Sequence, residues 1–253
     1  MPNPFELVNL PQIGALLDDL PLQMVACRWQ QSESILMADD LSQLAQLSVT
    51  LPVALARAVP KRQREFLAGR YCAQLALQQA AARLGIRWTA QPIGQHTDRS
   101  PDWPFGWTGS ISHTNALAVA VMAHDETRRV AIGIDVEQPL TQRAAKEICQ
   151  QILCSGEQQL LGDGTDELLW TRQVGLIFSA KEAIFKALSP RLSQWLDFQD
   201  AQLTTLDHDG QFKWHLTQTG QSKAGFSYQG TGRYSYSKDL LATLVTLGFS
   251  TSN

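Results

Sequence analysis

This sequence contains neither a metal-binding cysteine pattern nor a glycine-rich phosphate loop. Its four cysteines, Cys27, Cys72, Cys149 and Cys154, form no CxxC pair and have no histidine nearby at zinc-ligand spacing. This spacing argues against a structural zinc site and favours reduced thiols. No Walker-type or GxGxxG loop is present either. If phosphate groups bind, we therefore expect side chains and a metal ion to hold them, rather than a cradle of backbone amides.

Long apolar runs and a strong net charge are also lacking. No stretch approaches the roughly 18 apolar residues that a membrane span needs, and the opening residues MPNPFELVNL lack the apolar centre of a signal peptide. The formal net charge is -3, with acidic and basic residues interspersed, so no global field draws the protein to nucleic acid or to an anionic membrane. We expect a soluble cytoplasmic protein that binds no nucleic acid and has only local anion sites.

The remaining composition is that of a globular protein. The 253 residues are 44% hydrophobic and 18% charged, which suffices for one large domain or two modest halves. Residues 1–58 hold short apolar runs such as QMVACRW and SILMA, and we expect some strand there. From Pro60, apolar residues recur at helical spacing as far as the stop at Gly85, which predicts a first long helix.

Helices and strands then alternate along the chain. Residues 91–109, rich in Pro, Gly, Asp, Ser and Trp, predict an ordered loop. ALAVAVMA and VAIGIDVE, separated by HDETRR, predict a hairpin of two buried strands. Residues 141–188 are predicted to be mostly helical, and FKWHLTQ, FSYQGT, GRYSYS and LLATLVTL predict strands. The order of helix then strands occurs twice, and FLAGRYCAQLA aligns with FSAKEAIFKAL, which indicates two similar halves.

The motif GIDVE carries two carboxylates on one predicted strand. Asp135 and Glu137 are two residues apart, so both side chains point to the same side of the sheet. Two converging acids form half of a magnesium site, because magnesium takes a few carboxylate oxygens, keeps some waters and completes its shell with substrate phosphates. The alternative for such a pair is a solvated strand face.

The motif FSAKEAIFKAL predicts a helix that carries a third carboxylate and a lysine. Glu182 and Lys186 are four residues apart, so they share one helix face. A surface salt bridge between the two is the alternative. The apolar neighbours Phe178 and Phe185 instead favour a buried or cleft edge, where Glu182 would serve a metal ion and Lys186 a phosphate.

Candidate phosphate ligands precede these motifs. GSISHTN places Ser110, Ser112 and His113 just before an apolar strand, where backbone amides and hydroxyls can bind a phosphate oxygen. His113 can also donate a hydrogen bond or move a proton, although a capping or core histidine is the alternative. Further cations that could bind phosphate, or lie at the surface, are Lys61, Arg62, Arg64, Arg70 and Arg99.

Taken together, GSISH, GIDVE and FSAKEAIFKAL, in this order and at these separations, resemble the motifs of 4′-phosphopantetheinyl transferases of the two-halved monomeric type, typified by the surfactin and enterobactin synthetase activators. FLAGRYCA and RSPDWPFGWTGSISH are similar to the enterobactin-type branch, so the resemblance covers roughly residues 60–190. It implies an α+β fold of two pseudo-symmetric halves, residues 1–125 and 126–253. Each half would be a long helix packed on a small antiparallel sheet, with coenzyme A in the cleft between them.

The same resemblance implies a reaction. The 4′-phosphopantetheine group of coenzyme A would pass to a serine of an apo acyl or peptidyl carrier protein, and 3′,5′-ADP would leave. Magnesium would be bound by Asp135, Glu137 and Glu182, and Lys186 would neutralise the diphosphate. The resemblance leaves the general base open; Glu182, acting directly or through a metal-bound water, is our first candidate and His113 our second. The remaining coenzyme A ligands that the resemblance implies are Arg70, Arg99, Ser112 and His113, with Lys61 or Arg62 as helpers.

Two other functions remain open at this point. A metal-dependent phosphohydrolase could use the same acids and cations to activate water, and product analysis separates it because hydrolysis needs no carrier. A silent protein that only binds carrier domains or coenzyme A is the other alternative. The full set of three carboxylates with Lys186 argues against a silent binder, which has no chemical need for them.

Overall fold

The computed structural model describes residues 4–29, 38–162, 164–192 and 194–248. Contacts divide the chain into two compact units, Met1–Val130 and Ala131–Asn253. The sequence predicts a boundary after residue 125, whereas the observed division falls after Val130. Between these two positions, the Asp125 carboxylate accepts hydrogen bonds from the backbone N–H of Val130, at 2.6 Å, and of Thr127, at 3.0 Å. The turn therefore stays with the first unit.

The first unit contains one long helix and a four-stranded sheet. The sheet has the order β1-β2-β6-β5, and each neighbouring pair is antiparallel. Strands β3 and β4 pair separately. The elements are β1 Glu6–Leu7, α1 Pro11–Gly14, β2 Gln23–Arg28, α2 Ala38–Gln46, α3 Pro60–Leu84, β3 Gly94–Gln95, β4 Pro101–Asp102, β5 Trp107–His113 and β6 Leu117–His124, with short 3-10 turns at Ala15–Leu17 and Val53–Leu55.

Helix α3 covers one face of this sheet. It begins at Pro60, where a missing N–H costs nothing, and ends before Gly85, whose φ of 67° suits glycine. The helix packs on β2 and β6 and also approaches β5. A Cβ atom at Gly69 would lie 2.8 Å from the Ile111 side chain on β5, so this glycine allows close contact between the helix and the strand.

The second unit repeats the plan of a long helix on a sheet. Its sheet has the order β7-β11-β10-β9-β8, and the strands from β8 to β11 pair antiparallel. The elements are β7 Val130–Glu137, α4 Gln142–Ile152, α5 Glu167–Leu188, β8 Ala201–Leu206, β9 Gln211–Leu216, α6 Gln218–Ala224, β10 Gln229–Tyr236 and β11 Leu241–Gly248, with 3-10 turns at Ser155–Leu161, Ser189–Arg191 and Phe198–Asp200.

Helix α5 lies against β11 and closely approaches β7. It begins after Asp166, whose side chain accepts a hydrogen bond from the Leu169 N–H at 2.9 Å. The approach to β7 depends on Gly133, since a Cβ atom there would lie 1.8 Å from the backbone oxygen of Ala183. Any larger residue would push the helix and the strand apart.

A buried ion pair joins α5 to the rest of the second unit. Lys181 donates to Glu157 at 2.8 Å, and both side chains are fully buried. The same amine donates to the backbone oxygens of Ile152, at 2.6 Å, and Phe198, at 2.8 Å. Glu157 also accepts from the N–H groups of Cys154 and Leu203, each at 2.7 Å. The pair is well hydrogen-bonded, as a buried charge must be.

The α+β class with two halves is confirmed, and so are the helix from Pro60 and the helical region 141–188. The predicted hairpin is wrong. ALAVAVMA forms β6, which pairs with β2 and β5, whereas VAIGIDVE forms β7 beside β11 in the other sheet. FSYQGT and GRYSYS contribute to a single strand, β10, and the sequence predicts neither β8 nor α6. SILMA, apart from its last residue, lies outside the described residues.

All four cysteines are free thiols in the structure. Of the helices in the described ranges, none combines the length and the apolar character that crossing a membrane requires.

Candidate active site

Strand β7 and helix α5 bring together the acids and the lysine of the two motifs. Asp135 is almost completely buried, and its Oδ1 accepts a hydrogen bond from the Lys186 amine at 2.7 Å. Lys186 also donates to the backbone oxygen of Ile134 at 3.2 Å. The lysine therefore reaches from α5 to the neighbouring strand β7.

The second oxygen of Asp135 is held by groups that the sequence did not indicate. Ser179 on α5 donates to Asp135 Oδ2 at 2.7 Å, and the Ser179 hydroxyl lies 2.9 Å from that of Thr243 on β11. Thr243 donates to the Ser179 backbone oxygen at 2.9 Å. Ser179 lies within the motif FSAKE, and its position in that motif is the one sequence feature that indicates a role at the site. Thr243 is one of two threonines in the otherwise apolar strand β11 and carries no local signal.

The two glutamates of the site have raised pKa values. Burial, the negative charge of Asp135 and that of Glu182 raise the pKa of Glu137 from 4.5 to about 7, while Lys186 opposes the rise. The pKa of Glu182 is also raised, mainly by burial and further by Asp135, again against the effect of Lys186. Three carboxylates thus crowd one lysine, and the site carries an excess of negative charge that a cation would relieve.

Three carboxylates are the donor set that a hard cation such as magnesium takes. Asp135 Oδ1 accepts a hydrogen bond from Lys186 and Oδ2 accepts one from Ser179, and an ionised carboxylate offers about four lone-pair sites in all. No group of three His, Cys, Asp or Glu side chains within the described ranges is already gathered closely enough to hold a metal ion. The residues fit magnesium in chemistry and charge, and the glutamates would need to close in around it.

A second charged cluster lies in the first unit between α3 and β5. Arg62 Nη1 lies 3.3 Å from His113 Nε2. Glu65 Oε2 lies 3.7 Å from Arg62 Nη1 and 3.9 Å from His113 Nδ1, and Glu65 Oε1 lies 3.9 Å from the Lys61 amine. Sequence reasoning missed Glu65, although its spacing of three and four residues from Arg62 and Lys61 is the usual signal of a helical ion pair.

Ser112 and His113 do not share a face of the sheet. Ile111 meets Gly69 of α3, and His113, two residues further along β5, points to the same side. Ser112 therefore points to the opposite side, where it is buried. The structure joins His113 to Arg62 but separates it from Ser112.

Two further predicted arginines, Arg70 and Arg99, lie at the Pro/Trp-rich loop. Arg70 donates to the backbone oxygens of Ile93, at 3.1 Å, and Gly94, at 3.0 Å, and its guanidinium lies 4.8 Å from the centre of the Phe66 ring. Burial, together with the charge of Arg62, lowers the pKa of Arg70 to about 10. Arg99 is exposed in a turn with φ 70°. Arg70 thus anchors the loop, and Arg99 lies on its surface.

Two family models match this sequence. The model described as "4'-phosphopantetheinyl transferase N-terminal domain" matches residues 51–123. The model described as "4'-phosphopantetheinyl transferase superfamily" matches residues 131–243, which include all four charged residues of the β7 and α5 site. Together the two models cover more than half of the chain.

Several curated proteins are similar in sequence. The 4'-phosphopantetheinyl transferase Npt of Nocardia iowensis is 36% identical over 62% of this chain and 65% of its own length. Enterobactin synthase component D of Salmonella typhi is 37% identical over 58% of this chain and 56% of its own length. The 4'-phosphopantetheinyl transferase Svp of Streptomyces mobaraensis is 32% identical over 76% of this chain and 75% of its own length. The match therefore spans less than two thirds of the first two proteins and three quarters of the third.

Proposed function

Because this chain belongs to the 4′-phosphopantetheinyl transferase superfamily, as its motifs predict, we propose that it transfers the 4′-phosphopantetheine group of coenzyme A to a carrier protein. The acceptor is the hydroxyl of a serine of an apo acyl or peptidyl carrier protein, and 3′,5′-ADP is released. The new bond joins the serine oxygen to the β-phosphorus of coenzyme A, and the bond from that phosphorus to the oxygen bridging the diphosphate breaks.

The observation that carries the proposal is the group of charged side chains around the buried Asp135 on β7 and α5. Asp135, Glu137 and Glu182 stand near one lysine, and burial, reinforced by the charge of Asp135, raises the pKa of both glutamates. These three carboxylates would hold a magnesium ion, which would offset charge on the phosphoryl oxygens as it develops. An arrangement of this kind suits phosphoryl transfer, in which most catalysis comes from positioning and charge stabilisation.

Lys186 and Glu182 take separate roles in this proposal. The amine of Lys186, which donates to Asp135 in the structure, would donate to the diphosphate oxygens and bring a positive charge to them. Glu182 would accept the proton of the attacking serine hydroxyl. His113 is the second candidate for the base.

The residues of the first unit would supply further ligands for coenzyme A. Arg62, whose guanidinium donates to His113 Nε2 at 3.3 Å, would bring a positive charge to a phosphate group, with Lys61 as a further cation. Ser112 and the exposed Arg99 would contribute a hydroxyl and a charge. Arg70 would contribute a positive charge and hold the loop in place. Its Nε and Nη2 already donate to backbone oxygens.

Intact-mass analysis tests the proposal. An apo acyl carrier protein and an apo peptidyl carrier protein would each be incubated with this protein, coenzyme A and magnesium. Each carrier should gain one phosphopantetheine group, and Asp135→Ala or a chelator should abolish the gain. Coenzyme A that is cleaved without a carrier would support the hydrolase instead. Coenzyme A that stays intact, with neither carrier modified, would contradict transfer to these two carrier classes.

A further inference from the structure

A buried chain of hydroxyl groups connects β11 to the acid that contacts Lys186. Thr243 on β11, Ser179 on α5 and Asp135 on β7 follow one another at 2.9 Å and 2.7 Å. Ser179 and Thr243 have no exposed surface, and Asp135 is 2% exposed. Three elements of the second unit thus meet in one hydrogen-bonded line.

The number of available protons determines which group donates in each of these hydrogen bonds. Each hydroxyl has one proton to donate, and an ionised carboxylate can only accept. The Ser179 proton is committed to Asp135 Oδ2, so Thr243 is the donor between the two hydroxyls. The Thr243 proton is shared with the Ser179 backbone oxygen, which lies 2.9 Å from its Oγ1. Thr243 therefore donates to Ser179, and Ser179 donates to Asp135.

We propose that Ser179 and Thr243 are positioning residues that orient the carboxylate of Asp135 toward Lys186 and toward a divalent cation. With Oδ2 fixed by Ser179, the plane of the carboxylate cannot turn freely, and Oδ1 stays directed at the Lys186 amine. Thr243 holds the Ser179 hydroxyl in its donating orientation. The role at the cation rests on the proposed function, whereas the hydrogen-bond geometry does not.

Groups that orient metal ligands from behind typically change metal affinity or activity 10- to 100-fold when they are removed. A merely structural role would affect stability alone. The two roles are separated by Thr243→Val, which keeps the shape but loses the hydroxyl, and by Thr243→Ser, which keeps the hydroxyl and loses a methyl group. Ser179→Ala removes the direct donor to Asp135.

The first measurement is binding of Mn²⁺ to the full chain with coenzyme A and no carrier, followed by electron paramagnetic resonance of the free ion. Thr243→Val and Ser179→Ala should each weaken Mn²⁺ binding about 10-fold or more, and Thr243→Ser should remain within about threefold of wild type. The double variant should bind no more weakly than Ser179→Ala alone, because both substitutions break the same chain. Urea unfolding of each variant gives its stability.

Variants that lose stability but bind Mn²⁺ like wild type would overturn the proposal, and so would equal weakening in Thr243→Val and Thr243→Ser. Wild-type protein that binds no Mn²⁺ would overturn it as well. If Ser179→Ala does not fold, the two Thr243 variants decide. Failure of the proposed function would give a different result. The wild type and the variants would then bind Mn²⁺ with the expected differences in affinity, but the wild type would modify no carrier protein.

Discussion

At the scale of single residues, Glu137 links the charge of the site to the stability of the fold. Its pKa rises from 4.5 to about 7 because of burial and the charges of Asp135 and Glu182, against the effect of Lys186. Between these two pH values the folded protein keeps a proton that the unfolded chain has already released. Without a metal ion, the free energy of unfolding should therefore fall as the pH rises through this window.

Glu137→Gln should remove this contribution. In magnesium-free buffer, the urea midpoint of the wild type should fall more steeply from pH 5 to pH 7 than that of the variant, because the variant has no proton to lose there. Glu147→Gln is the matched control, since Glu147 is exposed and pairs with Arg143 one turn earlier on α4. It should keep the wild-type slope. Equal slopes for wild type and Glu137→Gln would contradict the raised pKa.

The site residues that could be predicted are those whose spacing within a short motif limits where they point. Asp135 with Glu137, and Glu182 with Lys186, have the periods of a strand and a helix, and the structure places them on β7 and α5. Thr243 could not be predicted, because it lies 64 residues from its partner Ser179. Only the pairing of helix and sheet brings the two together.

At the scale of elements, the same limit explains the wrong hairpin. The apolar runs and the short polar segment HDETRR are local features, and they correctly predict two strands and a turn. Which strand pairs with which depends on partners far along the chain, namely β2 for β6 and β11 for β7. A six-residue connection favours a hairpin but does not require one.

The close approach of α5 to β7 gives a prediction at this scale. Gly133→Ala would place a Cβ atom against the Ala183 backbone oxygen, which cannot move without the helix. We expect the free energy of unfolding to drop by about 2 kcal/mol or more. Transferase activity should also fall, because Asp135 would move away from Ser179 and Lys186. Urea unfolding and intact-mass assays check the two effects.

Gly175→Ala is the control for that substitution. A Cβ atom at Gly175 would meet the Leu140 side chain at 3.5 Å, an ordinary contact. Because alanine favours a helix over glycine, stability should stay unchanged or rise by up to about 1 kcal/mol. A Gly133→Ala variant as stable as Gly175→Ala would contradict the packing described for β7.

At the scale of the whole molecule, occupancy of the site should be visible in the thermal stability of the chain. Magnesium and coenzyme A together, at about 100 times their dissociation constants, should raise Tm by about 5 °C or more in a chain of this size. Each alone should do less, because the diphosphate completes the metal shell. Differential scanning calorimetry of wild type and Asp135→Ala checks this. A similar joint shift in Asp135→Ala would contradict the assigned ligand.

Two lysines on α5, five positions apart, differ completely in access to reagents. Lys181 is enclosed with Glu157, whereas the side chain of Lys186 is 29% exposed. An amine-acylating reagent would therefore label Lys186 in the folded protein and leave Lys181 untouched until the chain unfolds. A peptide that contains both lysines would therefore include an internal control. Reduced labelling of Lys186 would indicate a bound diphosphate, and labelling of Lys181 would indicate that the chain has unfolded.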